Sequence, residues 1–263
     1  MKVLQIASGS KGNTTYVEAD NTALLIDAGI SKKRVVEALN KSNLCLDKVS
    51  AILLTHEHTD HTAGLVALYN ETKALIYTTK GTYLGLSSKI REKIPESSFR
   101  LIERNQIIQI GSFEVESVET FHDANDPIGF VLKAANKKVV YVTDTGYIKQ
   151  SYYDVLSNAD MYIWESNHDP EILMQSDRPY DTKIRILSDC GHLSNQDSAY
   201  SLANIIGPNT KSVIFAHISE ECNLTQIVKL TSMRVFNDLG IDTSAISFYF
   251  ASQIPLEVLE VWK

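Results

Sequence analysis

The sequence predicts an α/β protein, with sheets covered by helices on the outside, on three observations. Strand-like and helix-like segments are mixed along the whole chain, and no linker or low-complexity segment interrupts them. At 263 residues the chain is long enough to bury a large core, and residues 1–263 are expected to form one compact domain. A hydrophobic content of 44% and a charged content of 22% are ordinary for a globular protein.

The elements follow in order. "KVLQIAS", "TTYVEA" and "TALLIDA" read as three strands separated by Gly- and Asn-rich turns, and "SKKRVVEALNK" as a helix opened by a Ser N-cap. "VSAILLT" is a buried strand rich in β-branched residues, and "TAGLVALYN" after it has helical apolar spacing. "ALIYTT" is a strand, and a helix is expected from Lys80 to Lys93. "IIQIGSFEVESVET", "GFVLKAANKKVVYVTD" and "ADMYIWES" supply further strands. Helices are expected around Asp181–Ser188, Asn195–Ile206 and Thr225–Leu239, with the strand "SVIFAH" between the last two. "AISFYF" and "LEVLEVW" close the chain as strands.

Composition excludes several classes. A formal net charge of −7 argues against a protein that coats nucleic acid non-specifically, although a local basic groove is compatible with it. The N-terminal apolar run is too short for a signal peptide and no segment is long enough to span a bilayer, so a cytoplasmic protein with no membrane partner is expected. Three cysteines (Cys45, Cys190 and Cys222), without C-x-x-C spacing, give neither a disulfide framework nor a cysteine zinc site.

The chemistry concentrates in "LTHEHTDHTAG", where His56, His58, Asp60 and His61 spell H-x-H-x-D-H on the loop between a strand and a helix. Imidazole and carboxylate ligands suit zinc, and manganese where carboxylate and water contribute. Two imidazoles at alternate positions of an extended backbone can aim at one ion. Asp60 and His61 follow where the chain turns into the helix and point elsewhere, so two metals are expected. A histidine-rich surface turn is the bland alternative, and the position at a strand end weighs against it.

This motif resembles that of the metallo-β-lactamase superfamily, and the chain carries similar segments to that superfamily's other ligands in order. They are "VETFHDA" with His122, "VVYVTDTG" with Asp144 and "SVIFAHIS" with His217, each after an apolar strand. The resemblance implies a four-layer αββα sandwich of two mixed sheets. It implies that His56, His58 and His122 hold one divalent ion (Zn²⁺ or Mn²⁺), that Asp60, His61 and His217 hold a second, and that Asp144 bridges them. Such a pair, about 3.5–4 Å apart, activates a shared hydroxide for hydrolysis. Asp60 is then catalytic as well as a ligand. A histidine at the second motif position disfavours the superfamily's di-iron redox chemistry, where a glutamate is usual.

"WESNHD" and "DCGHLSN" resemble the Glu- and His-containing segments of the superfamily's tRNA-processing phosphodiesterases. The resemblance makes His192 the general acid that protonates a leaving alkoxide, with Glu165 orienting it. Taken with "ASGSKGN", "LLIDAG" and "FHDANDPIGF", these segments resemble the YycJ (WalJ) subfamily across essentially the whole chain. That implies a DNA phosphodiesterase, a 5′→3′ exonuclease whose partner is its nucleic acid substrate, with no obligate protein partner.

No room exists between Asp144 and His217 for an inserted second domain, and the tRNA-gripping arm has no counterpart, so the sandwich itself must hold the strand. Arg178, Lys183 and Arg185 are candidate contacts because their segment leads into His192. Ser8, Ser10 and Asn13 in "SGSKGN" could meet a phosphate near the metals, although a plain two-glycine turn explains that loop equally well. Ser194 and Asn195 beside His192 are further candidates, and His168 reads either as a substrate contact or as support for a ligand. The basic run Lys89, Arg91, Lys93, Arg100 and Arg104 is interrupted by Glu92, Glu96 and Glu103, and reads better as solvated surface.

Two rival functions use the same ligands. A glyoxalase II-like thioester hydrolase would not need the Glu165–His192 pair, because a thiolate leaves without protonation. A non-catalytic metal-bound scaffold is disfavoured because every ligand position is filled.

Overall fold

The computed structural model describes residues 1–261. Two seven-stranded sheets form its centre. The first contains β1 (Lys2–Ala7), β2 (Thr14–Ala19), β3 (Thr22–Ile26), β4 (Val49–Leu53), β5 (Leu75–Thr78) and β6 (Phe99–Leu101). The second contains β7 (Ile107–Ile110), β8 (Phe113–Glu119), β9 (Ile128–Ala134), β10 (Lys137–Val142), β11 (Met161–Glu165), β12 (Ser212–Ala216) and β13 (Ser247–Phe250). The short β14 (Leu259–Glu260) returns to pair with β1 at the edge of the first sheet.

The two sheets repeat one scheme. Along the first, β14-β1-β2-β3 are antiparallel neighbours and β3-β4-β5-β6 parallel ones. Along the second, β7-β8-β9-β10 are antiparallel and β10-β11-β12-β13 parallel.

Strand side chains alternate between two apolar interiors, which is why the strands read as unbroken hydrophobic runs. Leu24, Ile26, Ala51 and Leu53 point between the sheets, where they meet Phe130, Tyr141, Met161 and Ile163 of the second sheet. Leu25 and Ile52 face outward and pack under Val35 and Leu39 of α1 (Lys32–Lys41). On the far side Tyr162, Trp164 and Phe215 pack under Leu202, Val228 and Phe236. The layers are therefore helix, sheet, sheet, helix.

The remaining helices are α2 (Thr59–Thr62), α3 (Leu65–Thr72), α4 (Lys80–Gly85), α5 (Ser88–Lys93), α6 (Tyr153–Leu156), α7 (Pro170–Gln175), α8 (Tyr180–Leu187), α9 (Asn195–Ala203) and α10 (Thr225–Asp238). None is long and apolar enough to cross a membrane.

Several expected elements are adjusted. The helix expected over Lys80–Lys93 is two helices, because Leu86 takes an extended backbone (ψ 140°) and turns into the core, only 2% exposed. The helix after the histidine motif breaks at Gly64. The last strand keeps only two residues, and Trp262, its expected end, lies outside the described residues. Helix α7 was readable but was not drawn from the sequence: Asp169 caps the N–H groups of Glu171 and Ile172, and Pro170 occupies the first helical position.

Three loops are knitted together at the rim of the sheets. Asn13 N–H donates to Asp60 O (2.7 Å), Ala28 N–H to His61 O (2.8 Å), and Gly64 N–H to Ala28 O (2.7 Å). Two glycines permit this approach: a Cβ on Gly29 would lie 1.6 Å from Asp60 O, and one on Gly64 1.9 Å from Ile30 O. Gly29→Ala must therefore push the loop away from α2. It should lower the chemical denaturation midpoint by the equivalent of roughly 1–3 kcal/mol, the usual cost of overpacking. An unchanged midpoint would show that the two segments do not meet at this point.

Candidate metal centre

Every residue of the centre lies where a strand gives out at one common rim. His56 and His58 follow β4, and Asp60 and His61 sit on α2 directly after. His122 follows β8, Asp144 follows β10, Glu165 ends β11, and His217 follows β12. His58 is the N-cap of α2, and its carbonyl accepts from His61 N–H (3.0 Å) and from Thr62 Oγ1 (3.0 Å). That turn swings Asp60 and His61 away from the extended pair.

The seven residues expected as ligands converge. Ligand-type atoms of His56, His58 and His122 lie within 4.8 Å of one another, as do those of Asp60, His61 and His217, and those of His56, His61 and Asp144. Asp144 reaches both sides: Oδ2 is 3.4 Å from His61 Nε2, while Oδ1 is 3.8 Å from His122 Nε2 and 3.4 Å from His217 Nδ1. Three polar atoms at the centre are buried without a hydrogen-bond partner among the described residues: His56 Nε2, Asp144 Oδ2 and His217 Nε2. Orphan imidazole and carboxylate atoms converging in a dry interior are costly in themselves, and they are the donor set that divalent cations take. The residues present fit divalent metal binding.

The surrounding shell fixes these rings. His61 Nδ1 donates to Asp27 Oδ2 (2.7 Å), and Asp27 also accepts from the N–H (2.9 Å) and Oγ1 (3.0 Å) of Thr55. Asn167 Nδ2 donates to His217 O (2.8 Å), and His122 Nδ1 donates to Gly191 O (3.1 Å). Asp27, Thr55 and Asn167 were not singled out from the sequence. An aspartate closing an apolar strand two residues before a glycine, as in "LLIDAG", was the available signal. Three of these positions adopt left-handed backbone: Asp27 (φ 60°), Asp144 (φ 58°) and His217 (φ 53°).

Charge is distributed unevenly. Burial and the neighbouring imidazoles hold His56 well below the usual histidine range. Burial also opposes charge on His61, but Asp27 and Asp144 outweigh it and push that group well up. His217 is likewise raised, to about 10, because Asp144, Asp60 and Glu165 overcome its burial.

The pair expected to handle a proton is in place. His192 Nδ1 donates to Glu165 Oε1 (2.8 Å), and the same oxygen accepts from His217 Nδ1 (3.1 Å). Glu165 Oε2 is held by Thr145 N–H (2.9 Å). Glu165 is wholly buried, and its imidazole partners overcome that burial and keep it below the usual carboxylate range.

Residues expected to touch substrate are mostly turned inward. Ser8 accepts His217 N–H on its Oγ (2.8 Å), and Asn13 Nδ2 lies 3.2 Å from Asp60 Oδ2 and 3.0 Å from His61 Nε2. Asn195 is bound to Ser166 and Asn223, and Ser194 caps α9. These four brace the centre or its loops because their polar groups are already engaged. His168 is 1% exposed with neither ring nitrogen partnered among the described residues, and burial and nearby His192 lower it to about 4. Its carbonyl accepts Asn195 N–H (2.9 Å), tying the loop after β11 to the loop that carries His192. Lys183 is committed to the carbonyls of Met174 (2.8 Å) and Ser176 (2.6 Å), Arg185 pairs with Asp123, and Arg178 pairs with Glu221. Ser10 is exposed, and its hydroxyl makes no hydrogen bond among the described residues.

The family model of the beta-lactamase superfamily domain matches residues 22–218. The chain is 35% identical over 235 residues to the exodeoxyribonuclease YycJ of Bacillus anthracis, covering 89% of each. It is also 35% identical over 239 residues to the exodeoxyribonuclease WalJ of Streptococcus pneumoniae, covering 90% of this chain and 89% of that one. Among solved structures, the metallo-beta-lactamase fold protein YhfI from Bacillus subtilis superimposes with a TM-score of 0.72 over 98% of both chains at 16% identity. With the sheet order, the rim of ligands and these matches together, the chain belongs to the metallo-β-lactamase superfamily, alongside its YycJ and WalJ members.

Proposed function

We propose that this protein is a metal-dependent phosphodiesterase working as a 5′→3′ DNA exonuclease, with residues 1–263 acting as one domain. One observation carries it: the contact between buried Glu165 and half-buried His192 (2.8 Å) beside a cluster of metal-ligand type. The exodeoxyribonuclease names of the relatives agree with it. A DNA substrate sets its work in the cytoplasm.

His56, His58 and His122 would hold one divalent ion, Asp60, His61 and His217 a second, and Asp144 both, as zinc or manganese. Four buried or half-buried carboxylates (Asp27, Asp60, Asp144 and Glu165) ring the centre, and two divalent charges match them. When bound, such ions supply Lewis-acid polarisation of water and of the attacked phosphoryl group. Asp60, the more exposed of the two ligand carboxylates, is placed to take the proton of the attacking water. His192, with Nδ1 fixed on Glu165, presents Nε2 to the leaving oxygen and gives it a proton, which a poor alkoxide leaving group requires. Glu165 holds the ring's orientation. A thioester hydrolase would have no use for this pair, and a scaffold would not maintain unpartnered ligand atoms at a buried centre.

Asp144→Ala should lower metal content and hydrolysis together, as read by elemental analysis beside an activity assay. Retention of both metals and full activity would refute the shared-ligand assignment.

Loaded with manganese or zinc, the protein should degrade end-labelled DNA and stop on addition of a chelator. Robust turnover of a glutathione thioester, with no cleavage of any nucleic acid, would put the glyoxalase-like function first.

His192→Ala should keep its metals but lose roughly 10²–10⁴-fold in rate on DNA, the usual contribution of general acid–base catalysis. A p-nitrophenyl phosphodiester should lose far less, since its phenolate departs without protonation, and Glu165→Gln should follow in the same direction more weakly. Equal losses on both substrates would assign His192 to binding.

A further inference from the structure

The basic side chains expected to meet substrate are engaged by acids or carbonyls, whereas two in the run that reads as solvated surface are free. A cavity of about 650 Å³ opens beside His58, between α2–α3 and α4–α5. That volume lies within the range of small-ligand sites, about 300–1,000 Å³. Ala63, Val66 and Ile90 give it an apolar wall, and Lys89 and Lys93 stand on its border. The two lysines are four residues apart on α5 and so share one face, while Glu92 between them does not line the cavity. Both are exposed, and the ion pairs among the described residues involve other basic side chains. The acid in the lining, Glu57, has Oε1 tied to Asn125 N–H (2.9 Å), and its buried Oε2 has no partner among the described residues.

We propose that this cavity seats a nucleotide of the substrate strand next to the scissile phosphate. The base lies on the wall of Ala63, Val66 and Ile90, and Lys89 and Lys93 neutralise the strand's phosphates. An apolar wall accepts the face of any base, and paired ammonium groups suit a phosphate backbone. A wholly apolar ligand would leave both charges unmatched. Glu57 Oε2 offers an acceptor to a base amino group. Because His58 belongs to the centre as well as to the cavity, whatever is seated there adjoins the bond under attack.

This inference rests on the nuclease function and is tested so that the two can fail separately. Lys89→Ala/Lys93→Ala should raise KM for an end-labelled oligodeoxynucleotide about 10- to 100-fold, with kcat much less affected. Two lost phosphate contacts should also flatten the slope of log(kcat/KM) against log[salt] by roughly 1.4–1.8. Lys211→Ala/Lys229→Ala, the same charge change at exposed sites away from the cavity, should alter neither quantity. Thermal unfolding of both double variants shows whether either has lost its fold. Equal KM and equal salt slope for the two double variants would overturn the inference while the nuclease function stands. Absence of cleavage of any nucleic acid by the unaltered, metal-loaded protein would overturn the function, and this inference with it.

Discussion

A carboxylate buried in a protein interior must be matched by charge and hydrogen bonds, and Asp144, at 2% exposure, is where the two halves of this molecule meet that demand. An isolated carboxylate there would cost several kcal/mol, at order of magnitude, and would shift toward its neutral form. His61 from the first sheet's rim approaches one oxygen, and His122 and His217 from the second approach the other. Asp27 and Glu165 extend the same arrangement by one shell, each giving its charge to a histidine that also faces the centre. Burial opposes charge on His61 and His217, and the carboxylates around them outweigh it and raise both groups. The three rim loops close over α2 because this network gives their backbone groups and side chains fixed partners.

The sequence made the local part of this legible and hid the assembled part. H-x-H-x-D-H is compact enough to be read from spacing, because its geometry depends on six consecutive residues. His122, Asp144 and His217 have no such signature, since each is a single residue after a strand, and only family resemblance linked them. Ser8 and Asn13 are expected to meet a phosphate because their loop is read as lying near the metals, and Asn195 because it neighbours His192. Here the loops fold back on the centre, and the side chains satisfy buried groups. The lysines are engaged differently from what their order in the chain suggests. Lys183 neighbours the right segment yet caps carbonyls, while Lys89 and Lys93 are separated by an acid that helical rotation carries to another face. Linear charge patterning cannot resolve either case.

The repeated scheme of the sheets accounts for the position of the centre. Each sheet passes from antiparallel to parallel pairing at its fourth strand, β3 in the first and β10 in the second. Each of these strands is followed within two residues by an aspartate with left-handed backbone, Asp27 and Asp144. The equivalence is one of chain direction and backbone shape, with different residues around it, so no repeat is visible in composition or motif. One aspartate contacts the converging ligands directly and the other holds a histidine from behind.

The left-handed backbone at Asp27, Asp144 and His217 bears on how the protein tolerates change. Residues with side chains occupy that region at a cost on the order of 1 kcal/mol or more, whereas glycine does not. The centre also concentrates like charges and unpartnered atoms that the fold itself has no use for. Glycine at Asp144 or His217 would relieve that strain but would remove a charge that the neighbouring groups match, and an apolar side chain at Glu165 would leave Thr145 N–H and two imidazoles without their acceptor. Backbone strain and matched charge thus fall on the same residues, and a substitution at Asp144 or His217 alters both at once.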